Sequence, residues 1–241
     1  MTTTAPDELP WPRIRRWPVA AALMLAASLV AGIVVFVVAV LVQWPPLTRA
    51  DLSAQEHLVR WTATNLWVVD PARWLSVAGL GPVIVSGCVV VAVVEHRRGR
   101  TVIGVWLLAT LLVGWSSTNL LKLLVDRPRP PTNGLLWDAT TSSFPSGHAS
   151  VAIYGYGALA LVAWWSLTGR RRTWLTLGLL VLGWGIAASR LVLGVHWVSD
   201  VLVGYATGLA VLLVTTSWLA SRTSRIPPGT HRAVAPKALP D

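Results

Sequence analysis

Long apolar runs separated by short polar clusters set the pattern of the chain. Residues 17 to 48 contain no Asp, Glu, Lys or Arg, and within them Val19 to Val42 is long enough to cross a hydrocarbon core of about 30 Å as a helix. Five further uncharged windows follow, at Trp74 to Val94, Thr101 to Leu121, Ala149 to Gly169, Thr173 to Ser189 and Val201 to Ser221. Each predicts one helix. The fifth holds only 17 residues and ends where Arg190 meets the interface, which is short for a spanning helix. The pattern predicts an all-α, polytopic membrane protein with six transmembrane helices. Its membrane domain runs over residues 19–221, between tails at 1–18 and 222–241. The first apolar run is too long for the core of a signal peptide, and no convincing small-residue cleavage site follows it, so it is expected to be retained. The Pro-rich, polar C-terminal tail is expected to be disordered.

Composition agrees with that pattern. The 241 residues are 54% hydrophobic and 12% charged, with mean hydropathy +0.60, outside the range of soluble domains. A net charge of +10 would in a soluble protein raise nucleic-acid binding. Here the location of the charges matters more than their sum, and no nucleic acid is expected as a partner. With the N-terminus inside, Arg13, Arg15, Arg16, Arg97, Arg98, Arg100, Arg170, Arg171, Arg172, Arg222, Arg225, Arg232 and Lys237 all fall on the cytoplasmic side. Short cytoplasmic loops carry such an excess. The expected location is therefore a multi-pass protein of the cell membrane with both termini cytoplasmic. The 15 Trp residues fit interfacial anchoring. Cys88, the sole cysteine, stands in an apolar run and reads as a small buried hydrophobe.

Between the first two predicted spans, residues 51 to 70 mix charge with Leu52, Leu58, Val59, Trp61, Leu66 and Trp67. Two readings stand for this connector: an amphipathic helix on the outer leaflet near a lipid-entry route, or a solvated connector with a helical turn.

Three polar clusters sit at the outer ends of the third to sixth spans and can converge although distant in sequence. The first is Lys122 with Arg129 and Pro130, the second Pro145-Ser146-Gly147-His148, the third Ser189-Arg190 with His196 and Asp200. A phosphoryl group in transfer carries charge on three equatorial oxygens, which fixed cations and N–H donors can stabilise. Lys122 offers a point charge, and Arg129 and Arg190 offer planar forks of donors. Pro128, Pro130 and Pro131 stop the helix and stiffen the chain around Arg129. The second cluster opens a helix, where free backbone N–H groups form an anion site. There Ser146 can cap or donate its hydroxyl, Gly147 lets the backbone approach an oxyanion, and His148 is placed to deliver a proton. His196 and Asp200 stand four residues apart, the spacing at which a carboxylate can fix the tautomer of an imidazole and leave its other nitrogen nucleophilic. Arg127 reads as a headgroup-neutralising or snorkelling side chain with Asp126 as its local partner. His57, His96 and His231 read as solvated or interfacial.

The eleven specified positions, in this order, resemble the signature of the type 2 phosphatidic acid phosphatase superfamily: Lys-x6-Arg-Pro, Pro-Ser-Gly-His and Ser-Arg-x5-His-x3-Asp. Every specified position of the signature is matched between residues 122 and 200. The resemblance implies a membrane lipid phosphatase whose third-motif histidine, here His196, becomes a phosphohistidine, with Asp200 orienting it. It implies that His148 protonates the leaving group and then activates water, and that Lys122, Arg129, Ser146, Gly147 and Arg190 hold the phosphate. Pro130, Pro145 and Ser189 support the motifs, and neither metal nor cofactor is implied. Phosphatidic acid, phosphatidylglycerol phosphate and polyprenyl diphosphates such as undecaprenyl diphosphate all suit such a site. The alternative is a non-catalytic protein of the same fold that binds or translocates a lipid phosphate.

Overall fold

A computed structural model of the chain describes residues 11–131 and 142–224, and every regular element among them is helical. The tail residues 1–10 and 225–241, with His231, lie outside the described residues. In chain order the elements are α1 (Trp11–Arg15), α2 (Val19–Leu41), α3 (Pro45–Thr64), a 3-10 turn (Leu66–Val68), α4 (Val69–Ala78), α5 (Gly81–Arg97) and α6 (Thr101–Val125). There follow α7 (Gly147–Val151), a π-helical turn (Ala152–Tyr156), α8 (Gly157–Ser166), α9 (Gly169–Val192) and α10 (Val198–Ser224). Among the described residues five helices, counting α7 to α8 as one rod, are long and apolar enough to cross a membrane; the 3-10 turn with α4 forms with α5 a sixth, bent pair.

The rod from α7 to α8 is the centre of the bundle, with Ala149, Val151, Tyr154, Tyr156, Ala158, Val162 and Trp165 buried. α10 crosses it closely because Gly204 and Gly208 carry no side chain there. A Cβ on them would stand 2.7 Å from the Ser146 carbonyl oxygen and 2.6 Å from that of Ser150. α2 lies outermost. It buries Ala22, Ala26 and Ile33, while Met24 and Val35 are each 66% exposed. An apolar helix with its broad face turned outward is stable where the surrounding medium is hydrocarbon.

The two ends of the bundle differ in chemistry. At one end Arg13 of α1 donates to the carbonyls of Trp164 (2.7 Å) and Leu167 (2.9 Å), satisfying groups that the end of α8 leaves free. The buried Glu95 of α5 takes Arg98 at 3.0 Å at that same end. At the other end, α6 and α9 finish and α7 and α10 begin, so all three sequence clusters meet there.

Two expectations change in detail. The second predicted span, Trp74 to Val94, is broken into α4 and α5 with a bend of 51°. Pro82, near the start of α5, has no N–H to return to the carbonyl of Ala78, and the Tyr156 hydroxyl donates to that carbonyl instead at 2.7 Å. The fifth span is a full 24-residue helix, Gly169–Val192, because it takes in Gly169 to Arg172 at its start and Arg190 to Val192 at its end. The 51–70 connector is helical in three pieces, the body of α3, the 3-10 turn and the start of α4, and α3 begins earlier, at Pro45. Its buried positions are polar, Asp51, Gln55 and Thr62, while Leu52 and Trp61 face outward at 45% and 46% exposure. Gln55 donates to the Gly194 carbonyl at 3.2 Å and Thr62 to that of Val192 at 3.2 Å, so α3 straps the turn that carries His196. Cys88 is fully buried, as its apolar run predicts.

Candidate active site

α6 ends at Val125 because Asp126 takes the left-handed conformation (φ 38°), its N–H closing on the Lys122 carbonyl at 3.1 Å. This places Lys122 in the last turn, where its Nζ donates to the Ser142 carbonyl at 2.7 Å. The Asp126–Pro128 segment is then pinned to the next strand of chain. Ser143 N–H donates to the Arg127 carbonyl (2.8 Å), Ser143 Oγ to the Pro128 carbonyl (3.1 Å), and Trp197 Nε1 to the same Pro128 carbonyl (3.0 Å). Pro130 and Pro145 are both buried. Arg129 is thereby aimed inward: its Nη1 donates to the Val195 carbonyl at 2.9 Å and lies 3.3 Å from His196 Nε2.

Ser146 begins α7 as its N-cap, its buried Oγ accepting from Ala149 N–H at 3.4 Å. Its own N–H donates to the Asp200 carbonyl at 3.0 Å, which ties the second cluster directly to the third. A Cβ on Gly147 would meet only Lys122 Cε, at 4.0 Å, so the backbone at this position opens onto the space beside the lysine. His148 points instead toward α4. Its Nε2 lies 3.1 Å from the Ser76 carbonyl, and since a carbonyl only accepts, Nε2 carries the proton. Arg190 Nη1 donates to Ser76 Oγ, and Arg190 Nε is buried with no hydrogen-bond partner among the described residues, a donor left over for a ligand. Ser189 is buried and donates to the Ile186 carbonyl at 2.6 Å, which holds the last turn of α9 in shape.

His196 is 2% exposed. Arg129 has no lone pair to offer, so its approach to Nε2 requires a lone pair there, and Nδ1 carries the proton toward Asp200. Nδ1 lies 3.4 Å from Asp200 Oδ2, within ion-pair reach but without the alignment of a full hydrogen bond. Such contacts tighten when substrate binds. Burial pushes the His196 imidazole down to about 4; Asp200 pulls it upward, and Arg129 and Arg190 push it further down. The neutral ring therefore presents a free lone pair at ordinary pH. Burial likewise lowers the Arg129 guanidinium, which Asp200 opposes.

The site corrects the reading of Arg127. Its partners are not Asp126 but Asp200, whose Oδ1 accepts Nη1 at 2.8 Å, and Asp51, whose Oδ2 accepts Nη2 at 2.8 Å. Its guanidinium also lies 5.2 Å from the centroid of the Trp197 ring. Of the remaining histidines, His57 bonds the Ser53 carbonyl on an exposed face (2.7 Å) and His96 the Thr101 hydroxyl (2.9 Å), both away from the cluster.

Sequence reasoning missed Asp51, Ser76, Gly79 and Ser199, which lie outside the motif positions. For Asp51 a signal existed: Asp51, Gln55 and Thr62 repeat at helical spacing on a segment whose other faces carry Leu52 and Trp61. Nothing in the local sequence distinguishes Ser76. Gly79 matters because a Cβ there would stand 2.6 Å from His148 Cδ2 and 2.6 Å from Ile186 Cγ2. Gly79→Ala is therefore expected to displace the His148 ring while the protein stays folded. Turnover of the preferred substrate should fall by roughly 10- to 100-fold, since a misplacement on the order of 1 Å has that effect. Steady-state kinetics beside a thermal melt checks this, and unchanged turnover would show that the ring does not need its present seat.

A family model described as the PAP2 superfamily matches residues 102–224, from the start of α6 to the end of α10. Phosphatidylglycerophosphatase B of Escherichia coli (strain K12) is 41% identical over 87 residues, which are 36% of this chain and 32% of that protein. The putative undecaprenyl-diphosphatase YbjG of the same organism is 38% identical over 109 residues, 44% of this chain and 50% of that protein. The chain thus spans 32% and 50% of the length of these relatives. The crystal structure of a transmembrane PAP2 type phosphatidylglycerolphosphate phosphatase from Bacillus subtilis superposes with a TM-score of 0.70 at 22% identity, over 80% of this chain and 94% of the other. That likeness establishes the fold. The matched residues contain all three clusters in an unbroken signature, and on that ground the chain belongs to the PAP2 superfamily, the type 2 phosphatidic acid phosphatases that its motifs resemble.

Proposed function

We propose that this chain is an integral membrane phosphatase that hydrolyses a phosphomonoester or diphosphate of a lipid through a phosphohistidine at His196, without a metal. One observation carries the reading: the His196 ring has its Nδ1 side against Asp200 and its Nε2 lone pair beside Arg129. A buried imidazole held in that tautomer is an in-line nucleophile for a phosphorus atom gripped by cations.

The chemistry runs in two displacements. The Nε2 lone pair attacks phosphorus, the bond to the leaving oxygen breaks, and that oxygen takes a proton from His148. His148 enters this step as an imidazolium: the Ser76 carbonyl holds its Nε2–H, and the second proton, taken onto Nδ1 from the phosphate group of a substrate bound as the monoanion, is the one passed to the leaving oxygen. In the second step water attacks phosphorus, Nδ1 of His148 takes a proton from it, and the electrons of the P–N bond return to His196 as inorganic phosphate leaves. Lys122, Arg129 and Arg190 balance the charge on the equatorial oxygens, and the backbone at Gly147 at the start of α7 adds donors. Arg190 would exchange its hold on Ser76 for one on phosphate.

The names of the relatives support phosphatidylglycerol phosphate and undecaprenyl diphosphate as the substrates to try first, with phosphatidic acid beside them. The arginine clusters at the opposite end of the bundle support an extracytoplasmic site with both termini inside. Because cations and imidazoles take the place of a metal in this mechanism, phosphate release by detergent-purified protein is expected to persist in EDTA. Vanadate is expected to inhibit it as a trigonal-bipyramidal mimic. Loss of activity in chelator, restored by a divalent ion, would overturn the metal-free mechanism. No release from any of the three lipids by folded protein would favour a binding protein instead.

A further inference from the structure

The carboxylate of Asp200 is held by more than the histidine it orients. Its Oδ2 accepts the Trp197 N–H at 3.0 Å, and its Oδ1 accepts Arg127 Nη1 at 2.8 Å. Arg127 in turn reaches across to α3, where Asp51 Oδ2 accepts Nη2 at 2.8 Å. Ser199 closes the ring: its hydroxyl accepts from Arg127 Nη1 at 2.7 Å and donates to Asp51 Oδ2, and its N–H donates to Asp51 Oδ1 at 3.0 Å. Asp200, Asp51 and Ser199 are 0%, 3% and 2% exposed. Two buried carboxylates therefore share one guanidinium, with a hydroxyl filling the remaining valences.

We propose that Asp51 and Arg127 are positioning residues for the nucleophile, forming an Asp51–Arg127–Asp200 relay that locks the catalytic carboxylate against His196. The inference rests on the phosphatase reading above and deepens it by adding α3 to the site. The physical case has two parts. A carboxylate with one partner rotates about χ2, whereas Arg127 and the Trp197 N–H between them occupy both oxygens of Asp200 and fix the plane in which Oδ2 faces Nδ1. Second, a lone guanidinium on Asp200 would draw down the negative charge that must stabilise His196 once it carries the phosphoryl group and a positive charge. Asp51 divides the charge of Arg127 between two carboxylates, so Asp200 keeps its own for the histidine. Arginine suits the position because its rigid plane presents two separate nitrogens, Nη1 to Asp200 and Ser199 and Nη2 to Asp51, a span that the single nitrogen of an ammonium does not hold in fixed geometry. The relay crosses from α3, whose Leu52 and Trp61 face outward, to the first turn of α10.

The test compares wild type with Asp51→Asn, Arg127→Lys and Ser199→Ala in the full-length chain in detergent, with Glu56→Gln on the exposed face of α3 as a charge control. Phosphate release from phosphatidylglycerol phosphate and undecaprenyl diphosphate gives kcat and KM. NMR on histidine-labelled protein follows the Nδ1 proton of His196, which the relay should protect from exchange. The expected result is a kcat at least about tenfold lower for Asp51→Asn and Arg127→Lys, KM within about threefold of wild type, and loss of the protected Nδ1 proton. Ser199→Ala removes a hydroxyl without orphaning a charge, so it should fold and show a smaller fall of the same kind. It decides the matter if Asp51→Asn does not fold. Glu56→Gln should match wild type. Folded variants with unchanged kcat, or with lowered kcat and the Nδ1 proton still protected, would overturn the relay while leaving the phosphatase intact. A folded wild type that releases no phosphate from either lipid would overturn the phosphatase reading and the relay with it.

Discussion

His196→Ala is expected to abolish phosphate release, with kcat falling by at least about 10⁴-fold, the scale on which loss of an activated nucleophile acts. No other imidazole among the described residues is placed to take over. His148 is turned toward α4, with Nε2 at the Ser76 carbonyl (3.1 Å), and His57 and His96 bond elsewhere. The variant should still fold, because alanine adds no bulk at this position and the Arg129 contact to the Val195 carbonyl survives. The same residue sets the acid limit. Burial lowers His196 to about 4, so the ligand-free protein should hold a neutral ring from neutral pH down to that value and lose the lone pair below it. A ¹⁵N titration of histidine-labelled protein, assigned by comparison with His196→Ala, reads the midpoint directly. A midpoint near the ordinary histidine value of about 6.5 would mean that the ring is solvated and the site differently built.

Arg129→Ala is expected to lower kcat/KM by roughly 10²- to 10³-fold, the usual effect of removing one preorganised donor from a transition-state oxyanion. Arg129 acts twice. Its fork is available to phosphate oxygens, and its Nη1 stands 3.3 Å from the His196 lone pair, keeping that nitrogen unprotonated. Removing it takes away one of the charges that hold His196 down, so the midpoint of the ring should move upward as activity falls. Arg129→Lys should restore part of the downward push and little of the rate, because an ammonium lacks the fork. A variant that loses rate with no upward movement of His196 would separate the two roles and assign Arg129 to phosphate alone.

The eleven motif positions were legible in the sequence because each carries a charge, an imidazole, a hydroxyl, a proline or a glycine at a place where apolar residues are otherwise the rule. The same contrast made the spans legible: hydrocarbon demands uncharged helices of fixed length, and α2, α6 and α10 fall where their apolar runs lie. Arg127 shows where that kind of reading stops. In sequence it is one more arginine beside a motif, with Asp126 adjacent, and local proximity favours the neighbour. The left-handed turn at Asp126 ends the helix there, while the fold carries Asp51 and Asp200 to Arg127 from 76 and 73 residues away.

The N-terminal half holds the larger share of what was hidden. Asp51, Ser76 and Gly79 all precede the segment that the family model matches, residues 102–224. No motif marks them, since a serine that receives Arg190 and a glycine that admits a histidine ring look like any others along the chain. Their roles exist only because α4 breaks from α5 where Pro82 cannot return a hydrogen bond and because α3 lays a polar face over the turn before α10. What the sequence determined by itself was the solvent of the helices, their approximate ends and the groups able to act on a phosphate, all consequences of local chemistry. Which of those groups face one another, which carboxylate is shared and which helix closes the site were decided by tertiary packing, because a charge buried far from water takes its partner from whatever element the fold brings beside it.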